Sequence, residues 1–104
     1  MFILGQYDEF SPGMGFPSIH GFLQQKPVPN KEIILEYLYK GNVHMVTASF
    51  FTDFFTGKQV KRELVFMNDE KYSWSSKVPY YVDKYNLQLP EYFVTHVLQK
   101  TKVD

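Results

Sequence analysis

Tyr72-Ser73-Trp74-Ser75-Ser76-Lys77-Val78-Pro79-Tyr80-Tyr81-Val82-Asp83-Lys84-Tyr85-Asn86-Leu87-Gln88-Leu89-Pro90, continued by Phe93, Val94, Val97 and Leu98, reads as strand, helix, tight corner and second helix. Tyr72 and Trp74 alternate with Ser73 and Ser75, the two-residue period of a half-buried strand. Val78, Tyr81, Val82 and Tyr85 follow at i, i+3, i+4 and i+7, so they share one face of a helix. Ser76 stands where a side-chain cap is expected, Pro79 is tolerated in a first turn, and Asn86 suits a left-handed stop. Pro90 is expected to open the last helix, with Phe93, Val94, Val97 and Leu98 inward and Leu89 packing on Phe93 as a staple.

Working upstream, Val43 to Phe50 is rich in β-branched and aromatic residues and has no helical stripe. A strand is expected there, with Val46, Ala48 and Phe50 towards the core. Thr56-Gly57 marks a turn, and Val60 to Met67 returns as a second strand with Val60, Leu64 and Phe66 inward, interrupted by Arg62. Asn68 to Lys71 forms a polar turn into Tyr72. Met1 to Leu4 is a further candidate for an edge strand. Before this meander, Ile33, Ile34, Tyr37 and Leu38 define a helix expected to be capped by the Asn30 side chain and closed by a left-handed Gly41. Ser18 is expected to cap a short turn through Leu23, preceded by a Gly/Pro-punctuated loop over residues 5–17.

Residues 1–104 are therefore expected to form a single α+β domain, an antiparallel three- to four-stranded meander packed with about three helices. Hydrophobic residues at 44%, with ten Phe and eight Tyr, are enough for one aromatic core. The absence of Cys excludes a disulfide framework and any thiolate chemistry. Eleven basic residues balance eleven acidic ones, and ten of the basic residues are Lys, with Arg62 the single guanidinium. That balance lacks the cationic excess and Arg forks of a nucleic-acid binder. No apolar run approaches membrane-spanning length and the N-terminus lacks a basic leader, so a cytoplasmic protein away from membranes is expected.

Chemistry is sparsely signalled. His20, His44 and His96 fall on three different expected elements, with no metal-ligand spacing among them and no catalytic motif. A hydrolase or metal-dependent enzyme using one of them with Asp8 or Asp53 would require at least two of these residues to converge in one pocket. No cofactor, metal or catalytic residue is expected. Binding is better represented, because Tyr, Trp, Met and Arg are the residue types that anchor interface centres. Tyr80 and Tyr92 fall off their helical stripes, one of the adjacent Phe54 and Phe55 should be exposed, and Asp8-Glu9 pairs two carboxylates in a loop. These six residues are the candidate partner contacts. A regulatory or scaffold module with an unrelated protein partner is a further reading.

The run Tyr72-Ser73-Trp74-Ser75-Ser76, Tyr80-Tyr81-Val82, Lys84-Tyr85, Leu87, Leu89-Pro90, Phe93 and His96-Val97-Leu98 resembles a pattern in small bacterial immunity proteins. Gly15-Phe16-Pro17-Ser18-Ile19-His20 and Pro29-Asn30-Lys31 are similar as well. Such proteins accompany polymorphic toxins, including those of contact-dependent growth inhibition systems. The resemblance implies a cytoplasmic, non-catalytic protein that binds a cognate toxin domain, a nuclease with RNase favoured, and occludes its active site. Direct contact with nucleic acid is not implied. The near-neutral charge departs from the strongly acidic pattern of several nuclease inhibitors.

Overall fold

A computed structural model describes residues 2–101. Met1 of the expected edge strand and residues 102–104 lie outside them. The chain runs β1 (Phe2–Ile3), a 3-10 turn (Ile19–Phe22), α1 (Lys31–Tyr39), β2 (Asn42–Thr52), β3 (Gln59–Asn68), β4 (Tyr72–Ser75), α2 (Lys77–Tyr85) and α3 (Glu91–Lys100). The strands make one four-stranded sheet in the order β1-β4-β3-β2. β2, β3 and β4 form the expected antiparallel meander, but β1 lies parallel to β4, with Phe2 opposite Tyr72 and Ile3 opposite Ser73. The sheet is therefore mixed. A parallel neighbour needs a long connection, and the whole stretch between Ile3 and Tyr72 supplies it.

The β4 alternation sorts the two faces of the sheet. Tyr72 and Trp74 are buried while Ser73 and Ser75 point the other way, onto the same side as their cross-strand partners Asn68 and Phe66. Over Tyr72 and Trp74 lie α1 and α3: Phe93 meets Tyr72 edge-on at 5.0 Å between ring centroids and Trp74 at 6.0 Å. The indole N–H of Trp74 donates to the Leu38 carbonyl at 3.1 Å. Ile34, Leu38, Val78, Tyr81, Val82, Phe93 and Val97 complete one core, each large side chain contributing roughly 1.5–3 kcal/mol by leaving water. No helix among the described residues is long and apolar enough to cross a membrane.

Several local expectations are corrected. Asn30 takes the left-handed conformation itself and makes no side-chain cap. The adjacent Lys31 does the tying instead, its ammonium donating to the Asp83 carbonyl at 2.6 Å and to Asn86 Oδ1 at 3.0 Å. Gly41 is not left-handed. It is small because a Cβ there would stand 2.7 Å from the Trp74 ring and 3.2 Å from Met67 Cβ. Ser76 does not cap α2; its hydroxyl donates to the Glu63 carbonyl and accepts from the Val65 amide, extending the sheet. Pro90 is the residue before α3 rather than its first. Asn86 is left-handed, as its place after the helix suggests.

The largest correction concerns β2. Val46, Ala48 and Phe50, expected inward, are exposed, and Phe51 is the strand's one buried residue. Composition identifies a strand, but its buried face is set by what packs on it. Neither α1, α2 nor α3 makes substantial contact with β2, whose packing partner is β3.

Candidate protein-binding surface

Three groups of side chains carry the chemistry outside the aliphatic core. The first fixes the tip of the β2–β3 hairpin. Asp53 is buried at the end of β2, and its Oδ2 accepts the hydroxyls of Tyr80 and Tyr85, each at 2.6 Å. Its Oδ1 accepts the Phe55 and Thr56 amides at 2.8 and 3.2 Å. Burial alone would raise the Asp53 pKa, but these four donors outweigh it and hold the carboxyl below its ordinary value. Tyr81 accepts from the Phe54 amide at 2.8 Å. The hairpin tip is thus bolted to one face of α2. Bolting draws Phe55 inward, 4.7 Å from the Tyr85 ring, and leaves Phe54 exposed.

His20 stands against both phenylalanines, 6.2 Å from Phe54 and 5.2 Å from Phe55 between centroids. Its position follows from Glu9, whose carboxylate accepts the Ile19 amide at 2.6 Å and the Ser18 hydroxyl at 2.7 Å. Ser18 in turn accepts from the His20 amide. Although desolvation opposes it, those donors and nearby His20 lower the Glu9 pKa. Glu9 therefore acts as the anchor of the 3-10 turn.

The second group joins three elements. Asp69, in the turn after β3, accepts from the Tyr37 hydroxyl of α1, pairs with His96 Nε2 of α3 at 2.8 Å, and accepts the Tyr72 and Lys71 amides at 2.6 and 3.1 Å. Tyr37 Oη and His96 Nε2 are 3.3 Å apart. Burial pushes the Asp69 pKa up, and the Tyr37, Tyr72, His96 and Lys71 donors more than offset that. Burial first, then Asp69, raises the Tyr37 pKa. A carboxylate meeting four protein donors serves as a clasp between sheet and helices. One edge of the group opens on a cleft of about 610 Å³ bounded by Lys40, Asn42, Glu70 and Lys100.

The third is β2 itself. Asn42-Val43-His44-Met45-Val46-Thr47-Ala48-Ser49-Phe50-Phe51-Thr52 contains no Asp, Glu, Lys, Arg or Pro, and it forms one edge of the sheet. Val43, Met45, Val46 and Phe50, with Phe54 at the tip, are each 45% to 56% exposed. Edge strands are ordinarily protected by charge, proline or a covering element. Here the protection is limited to three register breaks, between Val43 and Met45, between Val46 and Phe50, and between Phe50 and Phe51. Thr47 sits in the second, its hydroxyl bonded to the Leu64 carbonyl and to the Ser49 backbone. Such bulges interrupt the ladder that an added strand would need. The apolar side chains remain open to contact.

Of the residues singled out from sequence, Glu9, Phe54, Phe55 and Tyr80 lie around the hairpin tip. Tyr80 spends its hydroxyl on Asp53, and Glu9 spends its carboxylate on the 3-10 turn. Asp8 is exposed and, among the described residues, accepts from the Gly13 amide at 3.3 Å. Tyr92 is exposed on α3, stacked on Tyr72 at 6.0 Å, away from the tip. His20, His44 and His96 occupy separate environments; His44 Nδ1 faces the Asn68 amide at 3.0 Å. No hydrogen bond among the described residues joins one of these histidines to another or to Asp8 or Asp53, and no group of three or more ligating side chains is assembled there. The apolar β2 strip was not foreseen as a surface. Its signal was the absence of any charge from eleven consecutive strand residues.

No protein-family model, curated protein or solved structure matches the chain.

Proposed function

We propose that this chain is a protein-binding domain that neutralises a cognate toxin domain, in keeping with its resemblance to small bacterial immunity proteins. The observation that carries the binding part is the set of half-exposed apolar side chains Val43, Met45, Val46 and Phe50 along an uncharged outermost strand, with exposed Phe54 just past its end. Apolar side chains left half-exposed along a sheet edge, Val43 and Val46 beside Met67 and Val65 on one face and Met45 beside Phe66 on the other, favour a partner that removes them from water. Phe54 gives the strip an aromatic end, the kind of side chain that concentrates binding energy. The toxin reading, with a nuclease and RNase favoured, comes from the resemblance alone, and occlusion of the toxin's active site is its mechanism. The protein would act without catalysis or cofactor, in the cytoplasm. A hydrolase reading needs His20, His44 or His96 to converge with each other or with Asp8 or Asp53, and it draws no support from their placement.

Titration against the protein encoded immediately upstream, with a growth-protection assay, tests this directly. Submicromolar binding that protects cells and weakens at least about tenfold in Phe54→Ala is the expected result, a loss of roughly 1.4 kcal/mol or more. Absence of both binding and protection would overturn it, and binding without protection would favour a scaffold or regulatory module.

A further inference from the structure

Behind the sheet, on the side away from α1 and α3, the loop after β1 stands off the strands and leaves a groove of about 460 Å³. Ile3, Phe10, Phe16, Leu64 and Phe66 give it apolar walls, and Lys77 enters it from the start of α2. The ammonium of Lys77 lies 5.3 Å from the centre of the Phe10 ring. No carboxylate among the described residues stands within 4.0 Å of it, and the first turn of α2 contains no acid. The placement is unfavourable within the isolated chain. A lysine in a helix's first turn opposes the helix dipole, and one partly removed from water loses hydration that a ring face restores only in part. Burial accordingly holds its pKa below the ordinary lysine value.

We infer that this groove receives a segment of a partner protein in which one carboxylate side chain is flanked by apolar residues, the carboxylate pairing with Lys77. The apolar walls select the flanks, and the single, partly desolvated cation selects the charge, because an ion pair formed there is screened less than one on open surface. A polyanion such as RNA would meet one ammonium where several are needed. The inference rests on the reading of the chain as a protein-binding domain and names the chemistry that its partner should bring. His44, on β2, also borders the groove, so a partner covering the edge strip can reach it.

The test is an NMR amide-shift titration of the intact chain with three acetylated, amidated peptides, Leu-Asp-Phe, Leu-Asn-Phe and Leu-Lys-Phe, and with inorganic phosphate. The Asp peptide is expected to shift the amides of Gln6, Ser73, Ser75 and Lys77 saturably, and to bind roughly tenfold more tightly than the Asn peptide. Lys77→Met, which keeps the stem over Phe10, should abolish that preference, and Lys77→Arg should keep it. Equal response to all three peptides, shifts confined elsewhere or no response would overturn the inference, as would phosphate binding as tightly as the Asp peptide. The peptides need no toxin, so the groove can fail while protection succeeds, and the reverse.

Discussion

On the helix-facing side of the sheet, Trp74, Tyr72 and Met67 are closed under Phe93, Leu38 and Tyr37, and every buried polar side-chain atom among the described residues has a partner. On β2, at the far edge of the same sheet, Val43, Met45, Val46 and Phe50 stay in water, and the ladder to β3 breaks at three places. The helix layer satisfies its polar groups from within: Asp69 draws donors from α1, α3 and its own turn. The edge strand carries apolar side chains that stay about half exposed among the described residues. One region holds the fold, and the other is free to be spent on a partner, so substitutions in the two should separate stability from binding.

The widest separation is expected between Phe93→Ala and Val46→Ala. Phe93 is wholly buried between Tyr72, Trp74 and Tyr37, and removing its ring should lower the unfolding free energy by about 3–5 kcal/mol. Val46→Ala should change it by less than about 0.5 kcal/mol. Urea unfolding measures both. Similar losses would mean that β2 is buried in solution.

A middle effect is expected for Asp69→Asn. An asparagine oxygen can accept in place of one carboxylate oxygen, but its NH₂ would face a former donor, leaving one of Tyr37, His96, Tyr72 or Lys71 unsatisfied at roughly 1–3 kcal/mol. The pH dependence gives this a sign. Asp69 and Asp53 are both held below their ordinary carboxylate values, so their stabilisation is complete above about pH 4 and is lost as pH falls through that value towards the folded pKa. Wild type should therefore lose thermal stability steeply in acid. Asp69→Asn should lose less, the two curves drawing together at low pH. The tyrosines give the opposite limb: Tyr37, Tyr80 and Tyr85 are raised, first by burial and then by the adjacent carboxylates. Their contribution is complete below about pH 10 and lost as pH rises above it. Parallel acid curves for wild type and variant would show that Asp69 does not carry this linkage.

These clasps explain which features could be read from the chain. The stripe of Val78, Tyr81 and Val82 and the alternation of Tyr72 and Trp74 are local patterns, and local patterns locate α2 and β4 within a residue or two. Asp53 meets Tyr80 and Tyr85 across 27 and 32 residues, and Asp69 meets Tyr37 across 32 and His96 across 27. Nothing in spacing reports such a meeting. Tyr80 illustrates the limit: its place off the helical stripe suggests a free ring, yet its hydroxyl is fixed by a carboxylate on another element. The parallel seat of β1 and the exposure of Val46 and Phe50 depend likewise on which layer covers which face. Phe54 and Phe55 were legible because two adjacent aromatics in a tight loop cannot both turn inward.

The smallest effect on the fold should come from Val46→Lys, and it is the sharpest probe of the contrast. Val46 is more than half exposed and opposite Val65 at a bulged edge, so a lysine there can keep its stem along the strand with its ammonium in water. Stability should move by less than about 0.5 kcal/mol. Lysine is also what natural edge strands use to repel a neighbour. If the strip is the contact surface, this substitution strands a charge against apolar side chains of the partner, and affinity should fall at least about tenfold, chiefly through faster dissociation. Urea unfolding paired with a binding titration separates the outcomes. Unchanged affinity with unchanged stability would move the interface off β2, towards Tyr92 or the groove at Lys77, and lost stability would place Val46 with the core.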